Sequence, residues 1–431
     1  SNNVALGKDA LKTNTTASNN TAVGYQTLYS TTSSNNIGIG YQAGFNVTSA
    51  TGTVAIGIRT VGYNGAGVTG SQNIGVGDNA LYSVTGGTAN VALGGQALYS
   101  NTTANNNTAV GYQAGYSNTT GGVTAVGRLA LQSNTTGQEN TAMGDASTNV
   151  NTTGSYNSAF GRATLADNTT GSNNTAVGRE ALKSNTTGQQ NTAIGSSSLD
   201  ANTTGTRNTS IGYNAMGANT TATANVAIGD HALQSKTTTG NDNVAIGTYA
   251  ASGLTTGANG TFVGSGAGQF ITTGTKNTII GRFTGNQSGL DIRTASNHIV
   301  LSDGDGNPRI YNDGTSTTIG QHTPVKTSRG VLELRGVSAS QSAITNSDNS
   351  ASYTNGATLN FNARSGVLIV NNWNNGSVEL FVMGGGSVSR FAGSGTGAGT
   401  VTYVGPNYVW TNDTGSTHTF THTYIQTRNS V

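Results

Sequence analysis

One short phrase recurs through the first two thirds of the chain. It reads NNVALG at 2–7, NTAVG at 20–24, NVALG at 90–94, NTAVG at 107–111, NTAIG at 191–195 and NVAIG at 243–247. Seventeen closing glycines run from Gly7 to Gly281, and twelve of the sixteen intervals between them are 17 residues. The other four are 16, 20, 16 and 18. So constant a period requires near-identical units stacked on one another, which decides the fold before any local propensity is weighed.

Each position in the unit has its own chemistry. The residue before the closing glycine is apolar in all seventeen copies, as in Val23, Ile56, Met143 and Phe160. Two before it, fifteen of seventeen are Ala, Gly or Ser, with Phe262 and Ile279 the exceptions. Three before it stands Thr, Val, Ile or Ser. An alternation of period two predicts a strand, and a face of small residues predicts another backbone close by. Seventeen residues cannot hold a helix, a strand and two turns. They suit two short strands and two tight corners per coil, with coils stacked in parallel about 4.8 Å apart into a rod about 80 Å long. The large residues at the penultimate position, such as Val110, Val177 and Ile228, are expected to be the core of the coil. The small faces are expected to meet between neighbouring chains, because a lone coil has no use for them.

Asn lies four residues before the glycine in fourteen of seventeen units, which predicts a ladder of side-chain amides bonded from coil to coil. N-T-T-G at 118, 134, 151, 168, 185 and 202 marks the other corner, where glycine can take a positive φ. Tyrosines recur just after the closing glycine (Tyr25, Tyr41, Tyr112, Tyr213) and near the next corner (Tyr29, Tyr82, Tyr99, Tyr116), where they are expected to cover coil edges. None of the three prolines, Pro308, Pro324 and Pro406, falls in the repeats, as expected where every backbone N–H is paired.

Composition narrows the function classes. Charged residues are 8% of 431 and the formal net charge is +2, so no field steers nucleic acid or an acidic membrane. There is no Cys, which excludes a disulfide framework, Cys-ligated zinc and a Cys nucleophile. No apolar run is long enough for membrane insertion, and no signal peptide is visible. No phosphate loop or catalytic set of side chains stands out, so neither an enzyme nor a bound cofactor is expected.

Three regions are expected. Residues 1–285 form the β-solenoid shaft, 286–325 hold degenerate coils and a junction, and 326–431 read as a β-sandwich or jelly-roll tip. The tip contains runs such as GVLIVNNW (366–373), SVELFVMG (377–384), TVTYVG (400–405) and HTFTHTYIQT (418–427), with Asn375-Gly376 as a hairpin signal. Two patterns have metal-ligating residue types, though each also reads as a plain strand or turn. His418 and His422 share one strand face, and Asp303 and Asp305 carry the odd-position oxygens of a calcium loop but lack its bidentate Glu. Trp373 with Asn372 and Asn374, and Trp410 with Tyr408, pair aromatic faces with amides or hydroxyls, as sugar recognition needs.

NTAVGYQTL at 20–28, NTAVGYQAG at 107–115 and the N-T-T-G corners resemble the head repeats of trimeric autotransporter adhesins and the repeat shafts of bacteriophage tail fibres. IVLSDGDGNPRIYNDG at 299–314 resembles the junction that follows such repeats in tail-fibre-like proteins. The resemblance covers about 1–320 and implies a homotrimeric, left-handed parallel β-roll on a virion surface, joined upstream to a virion attachment protein and presenting a tip to a host surface glycan or other receptor. Its 17-residue unit is longer than the adhesin-head unit, and no membrane-anchor barrel follows it. A bacterial surface adhesin head is the neighbouring alternative, extracellular or on the cell surface. An ice-binding solenoid is the alternative of another class, since regular Thr ladders can order water.

Overall fold

The computed structural model describes residues 2–64, 67–235, 240–315 and 317–319 in full and, beyond them, the backbone of ten strands between Leu332 and Gln426. The chain is all-β over this range and divides into two compact units. One comprises Ser1–Asn286 with Ile292–Ser296, the other Gln287–Asp291 with Asn297–Val431.

The first unit is a parallel β-solenoid of seventeen coils. Each coil contributes one three-residue strand, from Val4–Leu6 to Thr278–Ile280. Successive strands pair in register, as in Thr175↔Thr192, Ala176↔Ala193 and Val177↔Ile194. The irregular spacings do not disturb this phase. Thr108 still faces Thr124, Val54 faces Ile74 and Val226 faces Val244, because the missing or extra residues are absorbed at corners.

The second strand expected in each coil is not formed. The opposite wall is a run of turns instead. The closing glycines take positive φ, 136° at Gly24 and 147° at Gly144, and two non-glycine residues per turn follow in the left-handed region, such as Gln26 at 50° and Leu28 at 48°. Left-handed backbone costs a non-glycine residue roughly 1–2 kcal/mol, so neighbouring coils must impose the path. They do so by hydrogen bonds in both directions. The Gln26 N–H donates to Lys8 O in the coil before at 2.9 Å, and the Leu28 N–H to Ala43 O in the coil after at 3.0 Å.

The side-chain arrangement reverses the expected inside and outside. The small residues of the strand point into the coil: Ala22, Ala109, Ala176 and Ala227 are fully buried. The large penultimate residues point out, with Val177 37% exposed and Val110 and Ile228 only half-buried. The cause is the width of the coil. Across the interior stand buried leucines of the turn wall, Leu28, Leu98, Leu131, Leu165 and Leu182. A Cβ on Gly38 would lie 2.9 Å from Leu28 Cγ, so the strand can offer little more than a methyl. The exception obeys the same volume rule. Where Phe262 replaces the small residue, Gly268 replaces the leucine and Gly260 the corner Asn, and a Cβ on either would meet the Phe262 ring at 2.8 Å or less. The small face is therefore core, and it is not available to join chains.

Two amide ladders run inside the coils. The predicted one is present: the Asn107 Nδ2 donates to Asn90 Oδ1 at 3.0 Å, and Asn90 to Asn73 at 3.0 Å. A second joins the first residues of the N-T-T-G corners. Asn134 donates to Asn118, Asn151 to Asn134, Asn168 to Asn151 and Asn185 to Asn168, all at 2.7–2.8 Å and fully buried. The corner glycines do not need positive φ, contrary to expectation. Gly137 and Gly154 are glycine because a Cβ would sit 2.5 Å from the Oδ1 of Asn134 and Asn151 respectively.

In the second unit Ile299–Ser302, Pro308–Asn312 and Thr317–Ile319 pair antiparallel in sequence order. Farther on, a six-stranded sheet includes the antiparallel pair Ser365–Asn372 and Ser377–Gly384 with Asn372 opposite Ser377, the hairpin that Asn375-Gly376 signalled. Thr358–Phe361, Asn407–Thr411 and Thr400–Val404 make a separate three-stranded sheet.

Candidate interaction surfaces

Because the strand's large residues point out, the sheet face of the coil stack carries an apolar stripe. Leu6, Ile39, Leu93, Met143, Phe160, Val177, Ile194, Ile246 and Ile280 are exposed along one line, with Val4, Ile37 and Ile74 on the parallel line two residues earlier. Their register partners bring them within one strand spacing of each other. Seventeen rungs at about 4.8 Å and a width of about 10 Å give the sheet face roughly 800 Å², of which the penultimate line is apolar in every coil and the line two residues earlier is Thr or Ser in ten of seventeen. Isolated soluble chains rarely expose a continuous patch larger than a few hundred Å².

The turn wall carries a different surface. Tyr29, Phe45, Tyr63, Tyr82, Tyr99 and Tyr116 occupy successive coils as one aromatic ladder, with ring centroids 4.7–6.1 Å apart. Lys12 lies over the Tyr29 ring at 5.4 Å, and Arg59 over Tyr63 at 5.0 Å. The rings are half-buried and most are stacked face to face, so they offer edges and hydroxyls outward rather than faces. Past Tyr116 the same register position holds Gln132, Asn149, Ala166 and Lys183, and nearby pairs such as Arg128–Asp145 and Arg162–Glu180 replace aromatic contact with ionic.

The corner threonines are already engaged. The Thr152 hydroxyl donates to Thr169 O, Thr169 to Thr186 O and Thr186 to Thr203 O, each at 3.0 Å. Where Gly121 and Gly122 interrupt the corner side chains, an open polar hollow of about 510 Å³ lies between Asn106 and Gln138–Glu139.

Asp303 sits in a tight turn that uses its carboxylate fully. Oδ1 accepts from the N–H of Asp305 at 3.0 Å and of Asn307 at 2.8 Å, and Oδ2 pairs with Arg309 at 2.5 Å. Desolvation pulls its pKa up, but the Asn307 N–H and the Arg309 guanidinium outweigh this and hold it down to about 2. Arg309 thus supplies the positive charge that a calcium ion would bring. Among the described residues no group of three or more His, Cys, Asp or Glu is placed to hold a metal. Nearby, the Tyr311 hydroxyl lies 2.9 Å from His298 Nδ1. Burial depresses the His298 pKa, and burial and then Asp313 push Tyr311 up to about 12, so both shifts favour the neutral rings.

The other sequence candidates fall in the far strands. Tyr408 and Trp410 lie in Asn407–Thr411, with Trp410 opposite both Leu359 and Val401, so it belongs to a central strand. His418 and His422 lie in His418–Gln426, opposite Tyr353 and Val370 respectively. Asn372 ends its strand, whereas Trp373 and Asn374 lie outside the described residues. Comparison with known protein families, curated proteins and solved structures finds no match.

Sequence reasoning treated the outward stripe as core. The signal that could have corrected it is the pairing of Phe262 with Gly268 and Gly260, since only residues facing one another exchange volume in this way.

Proposed function

We propose that this chain is a structural fibre of a phage-like particle that attaches it to a host cell surface, with the coil stack as a homotrimeric stalk and a β-sandwich of residues 326–431 as the tip. The observation that carries the reading is the outward apolar stripe. With its flanking threonines it makes a sheet face of roughly 800 Å², one partner's share of a standard protein interface. Its rungs repeat at the coil spacing, and a surface with the same spacing is found on another copy of the same chain. Three stripes meeting on an axis would bury it and leave the aromatic and charged walls in solvent. The sequence resemblance to tail-fibre shafts supports the viral setting and a place on the virion surface. A rigid stalk repeating one nearly uncharged surface offers reach and multivalency, and three weak tip sites on it gain avidity. The tip's aromatic and amide residues, Trp373, Trp410, Tyr408, Asn372 and Asn374, are the candidates for a host-surface glycan. The corner threonines are engaged, so an ice-binding reading would rest on the strand threonines, such as Thr175 and Thr192, which stand in register beside the apolar line.

The test is the native mass of the full chain beside that of Val177→Lys with Ile194→Lys. Both side chains point out, so the variant should keep its β circular dichroism while the trimer falls to single chains. A wild-type chain that is folded and monomeric removes the stalk reading. Labelled full-length trimers should bind susceptible cells, and stripping surface glycans should abolish that binding. Binding that survives the stripping refutes the glycan assignment.

A further inference from the structure

The aromatic ladder ends in a run of four phenols, Tyr63, Tyr82, Tyr99 and Tyr116, of which the last three stack face to face. Tyr82 and Tyr99 stack with centroids 4.7 Å apart and planes 4° from parallel, and Tyr99 and Tyr116 stack at 4.9 Å and 9°. Phe45 precedes the run, and Tyr63 meets Tyr82 tilted by 46° at 5.5 Å. Backbone bonds from Ser83 N to Tyr99 O and from Ser100 N to Tyr116 O hold the three positions at the coil spacing. All three rings are half-buried, so each keeps one edge in solvent.

We propose that Tyr82, Tyr99 and Tyr116 are a site of oxidative cross-linking, at which a peroxide-driven one-electron oxidant joins neighbouring rings as dityrosine and fastens adjacent coils covalently. Each of two phenols gives one electron and one proton to the oxidant. Hydrogen peroxide acting through a haem peroxidase accepts both pairs and leaves as two waters. In each phenoxyl radical the unpaired spin is shared with the Cε carbons beside the oxygen. A Cε–Cε bond forms between the two rings, and the hydrogen on each joined carbon moves to its oxygen, restoring both hydroxyls. The chain loses two hydrogens in all. The rings must swing toward solvent for the carbons to meet, and the open edge of the ladder permits this. Burial first, and then the neighbouring Tyr82 and Tyr116, raise the Tyr99 pKa, so the ring meets the oxidant as a neutral phenol. The outcome depends on placement rather than exposure. Tyr112, Tyr156 and Tyr213 are more than half exposed, yet among the described residues none has a phenol stacked on it; Tyr25 and Tyr41 do stack, at 5.4 Å and 14°, and the same coupling is expected of that pair, independently of Tyr99.

The experiment treats the full chain with a haem peroxidase and hydrogen peroxide, in a mixture assembled from isotopically labelled and unlabelled copies. Expected are dityrosine fluorescence, a mass loss of two hydrogens in single chains, and digest peptides joining Tyr82 to Tyr99 or Tyr99 to Tyr116 within one copy. Tyr99→Phe keeps the stacked ring but leaves Tyr82 and Tyr116 two coils apart, so those peptides should fall to background. Tyr112→Phe should leave their yield unchanged. Cross-links that join labelled to unlabelled copies, that form mainly at the most exposed tyrosines, or that persist undiminished at Tyr82 and Tyr116 in Tyr99→Phe overturn the proposal. So does an oxidised wild-type chain with no dityrosine at those residues.

Discussion

The coils up to Tyr116 and those from Asn118 onward share one backbone and brace it in different ways. In the first set the interior position at the corner varies, from Asn14 through Thr31, Val47 and Val84 to Asn101, with each Asn bonded only within its own corner (Asn14 to Ala17 O, Asn101 to Ala104 O), while rings stack along the outside of the turn wall. From Asn118 to Asn219 the same interior position is an unbroken amide ladder, which gives way to Leu254 and Ile271, and the outside changes to Gln, Asn, Ala and ion pairs, with ring contact returning at Tyr213, His231 and Tyr249. Stacked rings and valines brace through area and dispersion, which tolerate small shifts. A buried amide ladder braces through direction, since each Oδ1 and Nδ2 has one neighbour at the correct height. The backbone path therefore does not depend on either chemistry. It depends on what both sets share: the closing glycines, the small strand residue and the turn-wall hydrogen bonds.

The substitution with the largest expected effect tests that shared part. A Cβ on Gly144 would lie 2.5 Å from the carbonyl carbon of Gly161, at a φ of 147°. Gly144→Ala should cost about 4 kcal/mol or more, because neither the angle nor the space can relax alone. Hydrogen exchange read coil by coil should show the loss centred on coils 9 and 10. An equal loss spread over the whole stack would mean that the coils do not respond as neighbours.

Next comes the amide set. Asn151→Ala leaves the buried Oδ1 of Asn134 with only the long 3.4 Å bond from Asn140 and one buried N–H of Asn168 unpaired, its other still donating to Gly171 O, at a cost of about 2 kcal/mol. Changing Asn134, Asn151 and Asn168 together to Val brings in the solution of the earlier coils. Per site it should cost less than the single change, because fewer polar groups are left unpaired. Denaturation midpoints of the two variants decide this. A triple variant losing three times the single loss would show that the two bracings are not interchangeable.

The aromatic set should be more forgiving. Tyr99→Ala removes two stacked contacts from a half-buried ring and should cost about 1 kcal/mol, with protection lost only in the adjoining coils. A loss as large as that of Asn151→Ala would erase the contrast between area and direction.

The smallest effect lies outside both sets and serves as their control. The Asp303 carboxyl is depressed from 3.8 to about 2, so the order it lends its turn is complete above about pH 4 and is lost as pH falls toward 2. The Asn307 amide resonance should follow that titration, and Arg309→Ala should move its midpoint upward. The protection of the coils should not change over the same range.

Period, strand position, parallel register and the first amide ladder could all be read from the residues, because each follows from spacing alone. An alternating strand also says that Ala176 and Val177 face opposite ways, but it does not say which way is in. That choice is set by the width between two walls of one coil, and the second wall was not legible as turns. Most of its left-handed residues are leucines, glutamines and alanines, which do not advertise that conformation, and the few that do, Asp9, Asn79, Asn214 and His231, are scattered among the coils. Once the turn wall places Leu182 and Leu199 across the interior, only a methyl fits opposite, and Val177 must face outward. The same holds for the rings. A spacing of 17 residues makes Tyr82, Tyr99 and Tyr116 neighbours, but the turn that aims all three the same way is what stacks them, because a ring's direction follows from the backbone angles beneath it.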